Sequence, residues 1–265
     1  QHKMGSIPQK IGDVYNLSMD TTRRNAEGIA PVLPVLQEIE NVTDKAQWSE
    51  VLGKAMDYGL WAMYVDADAM NSSMNILNEY QAGFALSQKD YYVDEDEHTK
   101  HIRAEYLKHV EKMFELYGQA NAAEKAATVL RLETRLAKAA FSNVELRDPI
   151  ANYNKMSVEE LQKLVPEVDW KVYFAGLNIA PDSLSVGQIR HLQEAGKMLA
   201  EESLEDMKTL FTWQVIDGSS DFLTEEIFMQ NFEFYGRILS GRQEPTPLWK
   251  RAVAMVNGTL GEAVG

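Results

Sequence analysis

The sequence has no cysteine among its 265 residues. This absence excludes disulfide bonds, thiolate nucleophiles and zinc sites built from cysteine. It does not identify the compartment, because a cysteine-free protein is compatible with either redox state. Basic residues are also few, since 26 Lys+Arg face 40 Asp+Glu and the formal net charge is −14. That charge argues against a nucleic-acid-binding function, which depends on Lys and Arg displacing counterions from phosphates.

Long apolar runs are missing as well. No stretch reaches the roughly 18 consecutive apolar residues that a membrane-spanning helix needs, so the sequence predicts no such helix. The chain begins with Gln1 instead of Met, and no signal-peptide pattern follows. We therefore expect a piece of a longer or processed polypeptide. The hydrophobic share of 45% and the charged share of 25% are ordinary for a globular protein.

The dominant pattern is helical. Apolar residues spaced by three and four predict a helix from His101 to Gly118, and Asn121 with Glu124 is a capping-box-like start for the next one. In that second helix we place Val129 and Leu136 inside and the charged Glu133 outside. Further helices are predicted over 9–22, 46–58 and 224–240.

The sequence predicts three other helix N-termini. Ser157 with Glu160 is a capping box, and Ser185 with Gln188 opens a periodic stretch that runs to Phe211. Thr246 followed by Pro247 reads as an N-cap, and Gly258 marks the other end of that helix.

One segment departs from the helical pattern. Two strand-like runs around a polar turn predict a β-hairpin over about 60–81. A loop near 143–153 is the better candidate for a subdomain boundary. The predicted fold is mainly α, a multi-helical two-part array with one β-hairpin.

Candidate catalytic or metal-binding residues are few. His98, His101 and Glu105 lie close to one helical face, with His109 a further turn on, which makes a surface metal site geometrically feasible. A solvated helix face is the favoured interpretation. Asp66 and Asp68 begin like a calcium loop, but Met70 occupies the third ligand position, Asn71 replaces the required glycine and Leu77 stands at the twelfth position, so a polar hairpin turn is favoured. The residues alone thus predict no catalytic, cofactor-binding or metal site.

The order of several short motifs is informative. IGDVYNLSMD at 11–20, the stretch 61–92 that ends in YQAGFALSQKDYY, RDPIANYNKMS at 147–157 and the C-terminal 239–265 follow one another along the chain. In this order the sequence resembles the neprilysin and endothelin-converting enzyme family of zinc metallopeptidases. Departures include Phe84, Ser87 and Gln88 in the Q-x-G-L-G-L-P-x-R stretch. Ser18 and Ala252 stand where animal members commonly carry cysteines, which favours a bacterial, extracytoplasmic member (periplasm or cell envelope).

The resemblance implies a segment without the reaction centre. The family's zinc-binding H-E-x-x-H helix lies far C-terminal of the matching region, so zinc is expected in the parent enzyme and outside this chain. No catalytic, cofactor-binding or metal residue is carried onto any position here. Residues 1–145 are expected to pack helices and hairpin on a catalytic lobe, and 146–265 to begin a helical cap lobe that admits only small peptides.

Two alternatives remain open. The first is a self-contained helical binding module without catalysis, and the second is an enzyme of a different helical class that uses His98, His101 and Glu105. The family interpretation predicts uncovered apolar helix faces, and hence contact with the catalytic lobe of the same polypeptide or self-association.

Overall fold

A computed structural model describes residues 2–264 of the chain. These residues form a mainly α structure with a small mixed sheet, which confirms the predicted fold class. The α-helices are α1 (Ile7–Met19), α2 (Thr21–Glu27), α3 (Leu33–Glu40), α4 (Trp48–Lys54), α5 (Asp90–Val93), α6 (Glu97–Leu116), α7 (Ala122–Ala139), α8 (Val158–Leu164), α9 (Trp170–Gly176), α10 (Ile189–Glu201), α11 (Leu204–Ser219), α12 (Glu225–Asn231) and α13 (Leu248–Val264). Within the described residues, no helix combines the length and apolarity that crossing a bilayer requires.

The chain divides into two compact units. The terminal unit joins the two chain ends, Gln1–Pro31 and Ser219–Gly265, and the central unit is Val32–Gly218. In the terminal unit α1 packs on α13, and α2 contacts α12. Helix α12 continues directly as a π-helix, Phe232–Ile238, and the chain then turns at Gly241, whose φ is +68°. The predicted end of this helical segment at Gly241 is therefore confirmed.

The central unit contains the sheet. Its strands are β1 (Trp61–Asp68), β2 (Asn71–Gln81), β3 (Asn154–Ser157) and β4 (Ser183–Val186), in the spatial order β1-β2-β4-β3. The predicted hairpin is β1–β2, with Trp61 opposite Gln81. The sequence did not predict β3 or β4. Strand β4 pairs parallel with β2, Leu77 opposite Leu184, and antiparallel with β3.

Helices α6 and α7 form the predicted antiparallel pair. Asp96 caps α6 by accepting from the backbone N–H of Thr99 at 3.0 Å, and Gly118, with a φ of +66°, follows the end of α6 and begins the connection to α7. The facing side chains are fully buried, among them Val110, Met113, Phe114, Val129, Leu132 and Leu136. An aromatic ring of α11 packs against them, since the ring centroids of Trp213 and Phe114 are 6.1 Å apart.

Three predicted helix boundaries are wrong. Ser185 lies in β4, so it caps nothing, and α10 begins at Ile189 with no side-chain cap. The periodic stretch to Phe211 is two helices, because Ser203 accepts from the N–H of Asp206 and starts α11 anew. Helix α13 runs through Gly258 to Val264, because a glycine inside a helix costs only about 1 kcal/mol and does not by itself end it.

The start of α7 and the loop at 143–153 differ from what the sequence predicts. Asn121 precedes α7 in a left-handed conformation, φ 56°, and makes no capping bond through its side chain. The loop at 143–153 lies within the central unit. The division of the chain near residue 145 concerns a catalytic lobe outside these residues and stays a prediction.

Helices α4 and α9 cross at two glycines. A Cβ atom on Gly53 would stand 2.3 Å from the carbonyl oxygen of Tyr173, and one on Gly176 would stand 2.8 Å from the carbonyl carbon of Gly53. Neither neighbour is a flexible side chain, so both backbones would have to move. The two glycines set the closeness of this helix pair.

We expect Gly53→Ala to lower the free energy of unfolding of the central unit by roughly 2–4 kcal/mol, because the methyl group has no space. Gly218→Ala is the matched control, since it lies in α11 and its new methyl group would have no atom within 4 Å. Urea unfolding followed by tryptophan fluorescence measures both. Equal stability of the two variants would contradict the close crossing.

Candidate functional site

The histidines that sequence spacing brought together do not converge. His98 and His101 are exposed on α6, Glu105 pairs with Lys108 at 2.7 Å, and His109 is buried with its ring 5.8 Å from that of Trp213. Among the described residues, no group of three or more His, Asp or Glu side chains could hold a metal ion. The described residues of this chain therefore do not fit the zinc ion that the family resemblance implies.

Asp68, which the sequence placed in a polar turn, is a buried connection between strands. It accepts hydrogen bonds from the Tyr153 hydroxyl at 2.7 Å, from Lys155 Nζ at 2.9 Å and from the Met70 N–H at 2.9 Å. These hydrogen bonds, with that of Tyr153 first, lower the pKa of Asp68 to about 2. The carboxylate ties the hairpin to β3.

A cavity of about 470 Å³ in the central unit lies beside the hairpin. Three chain segments line most of it: 55–63, 82–85 and 213–218. Gln214 bridges two of these walls, since its Oε1 accepts from the Gly59 N–H at 2.8 Å and its Nε2 donates to the Gly83 carbonyl at 3.2 Å. Gly83 has a φ of +96°, and a Cβ there would meet the Leu60 Cα at 2.9 Å. The wall at 82–85 therefore requires glycine.

A buried carboxylate stands behind that wall. Glu133 of α7 is fully buried, and its Oε1 accepts from the Ala85 N–H at 3.1 Å. Its Oε2 accepts from the hydroxyls of Tyr92 at 2.9 Å and Tyr106 at 2.7 Å. We call Glu133, Tyr92, Tyr106 and Ala85 the Glu133 cluster.

Hydrogen-bond direction in the Glu133 cluster is fixed by its outer members. The Leu86 N–H donates to the Tyr92 hydroxyl, and Trp213 Nε1 donates to the Tyr106 hydroxyl, both at 2.9 Å. Each hydroxyl proton is then available for Glu133. Burial raises the pKa of Glu133 to about 8, against the lowering effect of the hydrogen bonds from Tyr106 and Tyr92.

Glu133, which the sequence predicts on the outside of its helix, is fully buried, so that prediction is wrong. Glu133 follows Val129 by four residues, and both lie on the buried face of α7. The charge of Glu133 predicts an exposed side chain, whereas its spacing of four residues from Val129 predicts a buried one. The helical spacing is therefore the sequence signal that indicates the buried position of Glu133.

A second buried carboxyl group, Glu79 of β2, faces the start of α10. Its Oε2 accepts from the N–H groups of Gly187 at 3.2 Å and Gln188 at 3.4 Å. Its Oε1 has no hydrogen-bond partner within the part of the chain described. Burial raises the pKa of Glu79 to about 8, and the two backbone hydrogen bonds oppose that rise.

The amide side chains of Gln188 and Gln81 form further hydrogen bonds beside Glu79. Gln188 Oε1 accepts from the Gln81 N–H at 2.7 Å, and its Nε2 donates to Asn152 Oδ1 at 2.6 Å. Gln81 in turn exchanges two hydrogen bonds with the backbone of Phe141. The hairpin, α10 and the loop after α7 are thereby fixed to one another.

His191 of α10 completes the support of the 82–86 segment. It is fully buried, and its Nε2 lies 3.0 Å from the Ala82 carbonyl. Burial lowers the pKa of His191 to about 4, so the ring is neutral near pH 7. Because a carbonyl only accepts, Nε2 carries the proton.

The ionisable groups around this cavity fix the conformation of the protein. Burial, with Glu38 and Asp57 nearby, raises the pKa of the cavity-lining Tyr58 to about 12, so its phenol is protonated. The buried carboxyl groups and His191 are directed at backbone groups and tyrosine hydroxyls of the protein itself. Their combined effect is to hold residues 82–92 in one conformation beside the cavity.

Comparison with known proteins identifies this architecture. The sequence profile of the N-terminal region of Peptidase family M13 matches residues 1–265. The chain belongs to Peptidase family M13. The resemblance found in the sequence motifs is thereby confirmed.

Relatives in the M13 family include neprilysin-11 of Caenorhabditis elegans, which is 25% identical over 88% of this chain. Bovine endothelin-converting enzyme 1 is 23% identical over 95% of it. The inhibitor complex of the zinc metalloprotease Zmp1 from Mycobacterium tuberculosis superimposes with a TM-score of 0.94 at 30% identity, over 99% of this chain. The M13 chain described here spans 30% of neprilysin-11, 35% of the bovine enzyme and 41% of the Zmp1 chain.

Glu133→Gln should destabilise the central unit by about 1–3 kcal/mol, because the amide nitrogen cannot accept a hydrogen bond, whereas each carboxyl oxygen can accept one whether or not the group is protonated. Glu79→Gln is the matched control, since its amide oxygen can accept from Gly187 and Gln188 while its nitrogen replaces the unpartnered Oε1. Chemical denaturation of both variants at pH 6.5 gives the comparison. A Glu133→Gln variant as stable as Glu79→Gln would refute the donor arrangement.

Stability should fall as pH rises from 6.5 to 8. Glu79 and Glu133 have folded-state pKa values near 8, above the ordinary 4.5, so their contribution is complete below pH 4.5 and is lost as pH passes 8. Each group then lowers the unfolding free energy by about 1.4 kcal/mol per pH unit in this window. The lowered pKa of His191 affects stability only between about 4 and 6.5. Glu79→Gln should reduce the slope, and an unchanged slope would show that Glu79 is ionised in the folded protein.

Proposed function

We propose that this chain is the N-terminal, non-catalytic part of a zinc metallopeptidase that hydrolyses peptides. The observation that carries the proposal is the combination of a profile match over residues 1–265 with a span of only 30–41% of the relatives' lengths. The high TM-score to a chain named a zinc metalloprotease supports it. Zinc would be bound by residues outside this segment.

The role assigned to the segment is architecture around the reaction centre. Its segment 82–86, which includes the cavity wall at 82–85, is held by four groups: Glu133, Tyr92, Gln214 and His191. Such fixation suits a surface that limits which peptides enter, because a mobile wall would not exclude by size. In this proposal residues up to about 145 pack on the catalytic lobe, and later residues begin the cap.

The hairpin offers a surface for the catalytic lobe. Its distal part exposes Tyr64 by 49%, Val65 by 66%, Met70 by 66% and Met74 by 59%. Large apolar side chains grouped at one exposed hairpin are typical of a contact surface. Because the longer relatives contain more than half of their length outside the matching region, the occupant we propose is the remaining part of the same polypeptide. Self-association through the hairpin is the alternative outcome.

The cellular setting belongs to the same proposal. The bacterial structural neighbour Zmp1 supports a bacterial origin. Family membership supports an extracytoplasmic location, in the periplasm or cell envelope.

Complementation tests the function directly. The gene is extended past Gly265, and peptide hydrolysis is assayed for the full polypeptide, for the 265-residue chain and for a mixture of this chain with the separately expressed remainder. We expect chelator-sensitive hydrolysis by the full polypeptide and the mixture only. Chelator-sensitive hydrolysis by the 265-residue chain alone would refute the proposal.

A substitution on the hairpin tests its proposed contact with the catalytic lobe. Val65→Asp should weaken the mixture's assembly by roughly ten-fold or more, since it places a charge in an apolar contact. Ile150→Asp, at a loop side chain 77% exposed, is the control for a surface charge alone. Analytical ultracentrifugation of the two parts measures assembly. Equal affinity for both variants would remove the hairpin from the contact.

A further inference from the structure

A second cavity lies wholly within the terminal unit. It measures about 320 Å³, near the lower limit of the roughly 300–1,000 Å³ typical of small-molecule sites. Aromatic rings of Phe228, Phe232 and Tyr235 form part of its lining. Its polar lining consists of Asp221, Asn231, Arg242, Thr246, Lys250 and Arg251. We call it the basic cavity.

Positive charge in the basic cavity is poorly neutralised. Arg251 is paired only loosely, its Nη2 standing 3.6 Å from Glu225 Oε1. Arg242 and Lys250 have no carboxylate within 4.0 Å among the described residues, and neither does the neighbouring Arg24. This is notable in a chain whose acidic residues outnumber its basic ones by 40 to 26.

Guanidinium donors at the cavity lack acceptors. Arg251 Nε, Arg24 Nε and Arg24 Nη2 are buried without a hydrogen-bond partner in the described part of the chain. The Arg251 guanidinium carbon lies 3.6 Å from the centre of the Phe228 ring, which holds its plane in place. Buried donors without acceptors are rare in native proteins, so these atoms mark a place where an acceptor from outside the chain, a ligand or water, can bind.

Acceptors without donors stand nearby. Glu225 Oε2 and Asn231 Oδ1 are also buried without a partner in the described residues. A ligand that satisfies both sets must carry negatively charged oxygens for the arginines and a hydroxyl proton for an acceptor. A monohydrogen phosphate group has both.

We propose that the basic cavity binds a small hydroxylated oxyanion of the phosphate type. The fork of a guanidinium group matches two oxygens of such an anion. Three cationic side chains of the lining (Arg242, Lys250 and Arg251) outnumber its one carboxylate, Asp221, while Arg24 and Glu225 add one charge of each sign beside Arg251, so an anion is favoured over a cation.

Titration with inorganic phosphate at constant ionic strength, with chloride as the compensating anion, tests the proposal. We expect a saturable rise in melting temperature and broadening of the phosphate ³¹P resonance. Arg242→Gln, at an exposed lining residue, and Arg251→Lys, which keeps the charge but loses the fork, should each weaken phosphate binding by about ten-fold. Arg242→Gln keeps the test informative if Arg251→Lys fails to fold.

Arg237→Gln is the control, because Arg237 lies on the same π-helix, pairs with Glu233 and does not line the cavity. It should bind phosphate like the unaltered chain. A parallel titration with acetate, which has no hydroxyl donor when ionised, should give weaker binding. Absence of saturable phosphate binding, acetate binding at least as tight, or equal affinity of Arg242→Gln and the unaltered chain would each overturn the proposal.

Discussion

The Glu133 carboxyl group is the interaction on which the central unit depends. It has no contact with solvent, and its three hydrogen-bond donors come from α5, α6 and the segment that follows the hairpin. A carboxyl group is expensive to bury, and only well-directed donors offset that cost. The geometry of all these elements is therefore constrained together: a shift of one leaves a buried donor or acceptor unsatisfied.

The same logic organises the other side of the cavity wall. Glu79 and Gln188 use side-chain atoms to satisfy backbone groups at the start of α10 and at the end of the hairpin. His191 then fixes Ala82 through its neutral ring. The stretch YQAGFALSQKDYY carries the sequence resemblance to the family. Many of its residues from Gln81 to Tyr92 form hydrogen bonds with side chains of α7, α11 and the start of α10, or with one another.

Local patterns predicted much of the fold. The α6–α7 pair and the hairpin have strong periodicity and clear turns, and both were found. Strands β3 and β4 have only four residues each, too few for an alternation to be read. A capping-box spacing is short and recurs by chance, as at Ser185, whose strand exists only through pairing with β2 and β3. The Glu133 cluster and the amide network join residues from distant parts of the chain, and no local pattern describes such meetings.

The parallel pairing of β2 with β4 also bears on how the polypeptide reaches its native state. Gln81 and Gln188, which connect the hairpin to α10, are separated by 107 positions. A contact of this range cannot form until the intervening chain has been brought together at an entropic cost. The hairpin and the α6–α7 pair can form early, whereas the mixed sheet closes late. During that interval the backbone of β2 presents an unpaired edge, and a nascent chain at this stage is open to capture by another strand.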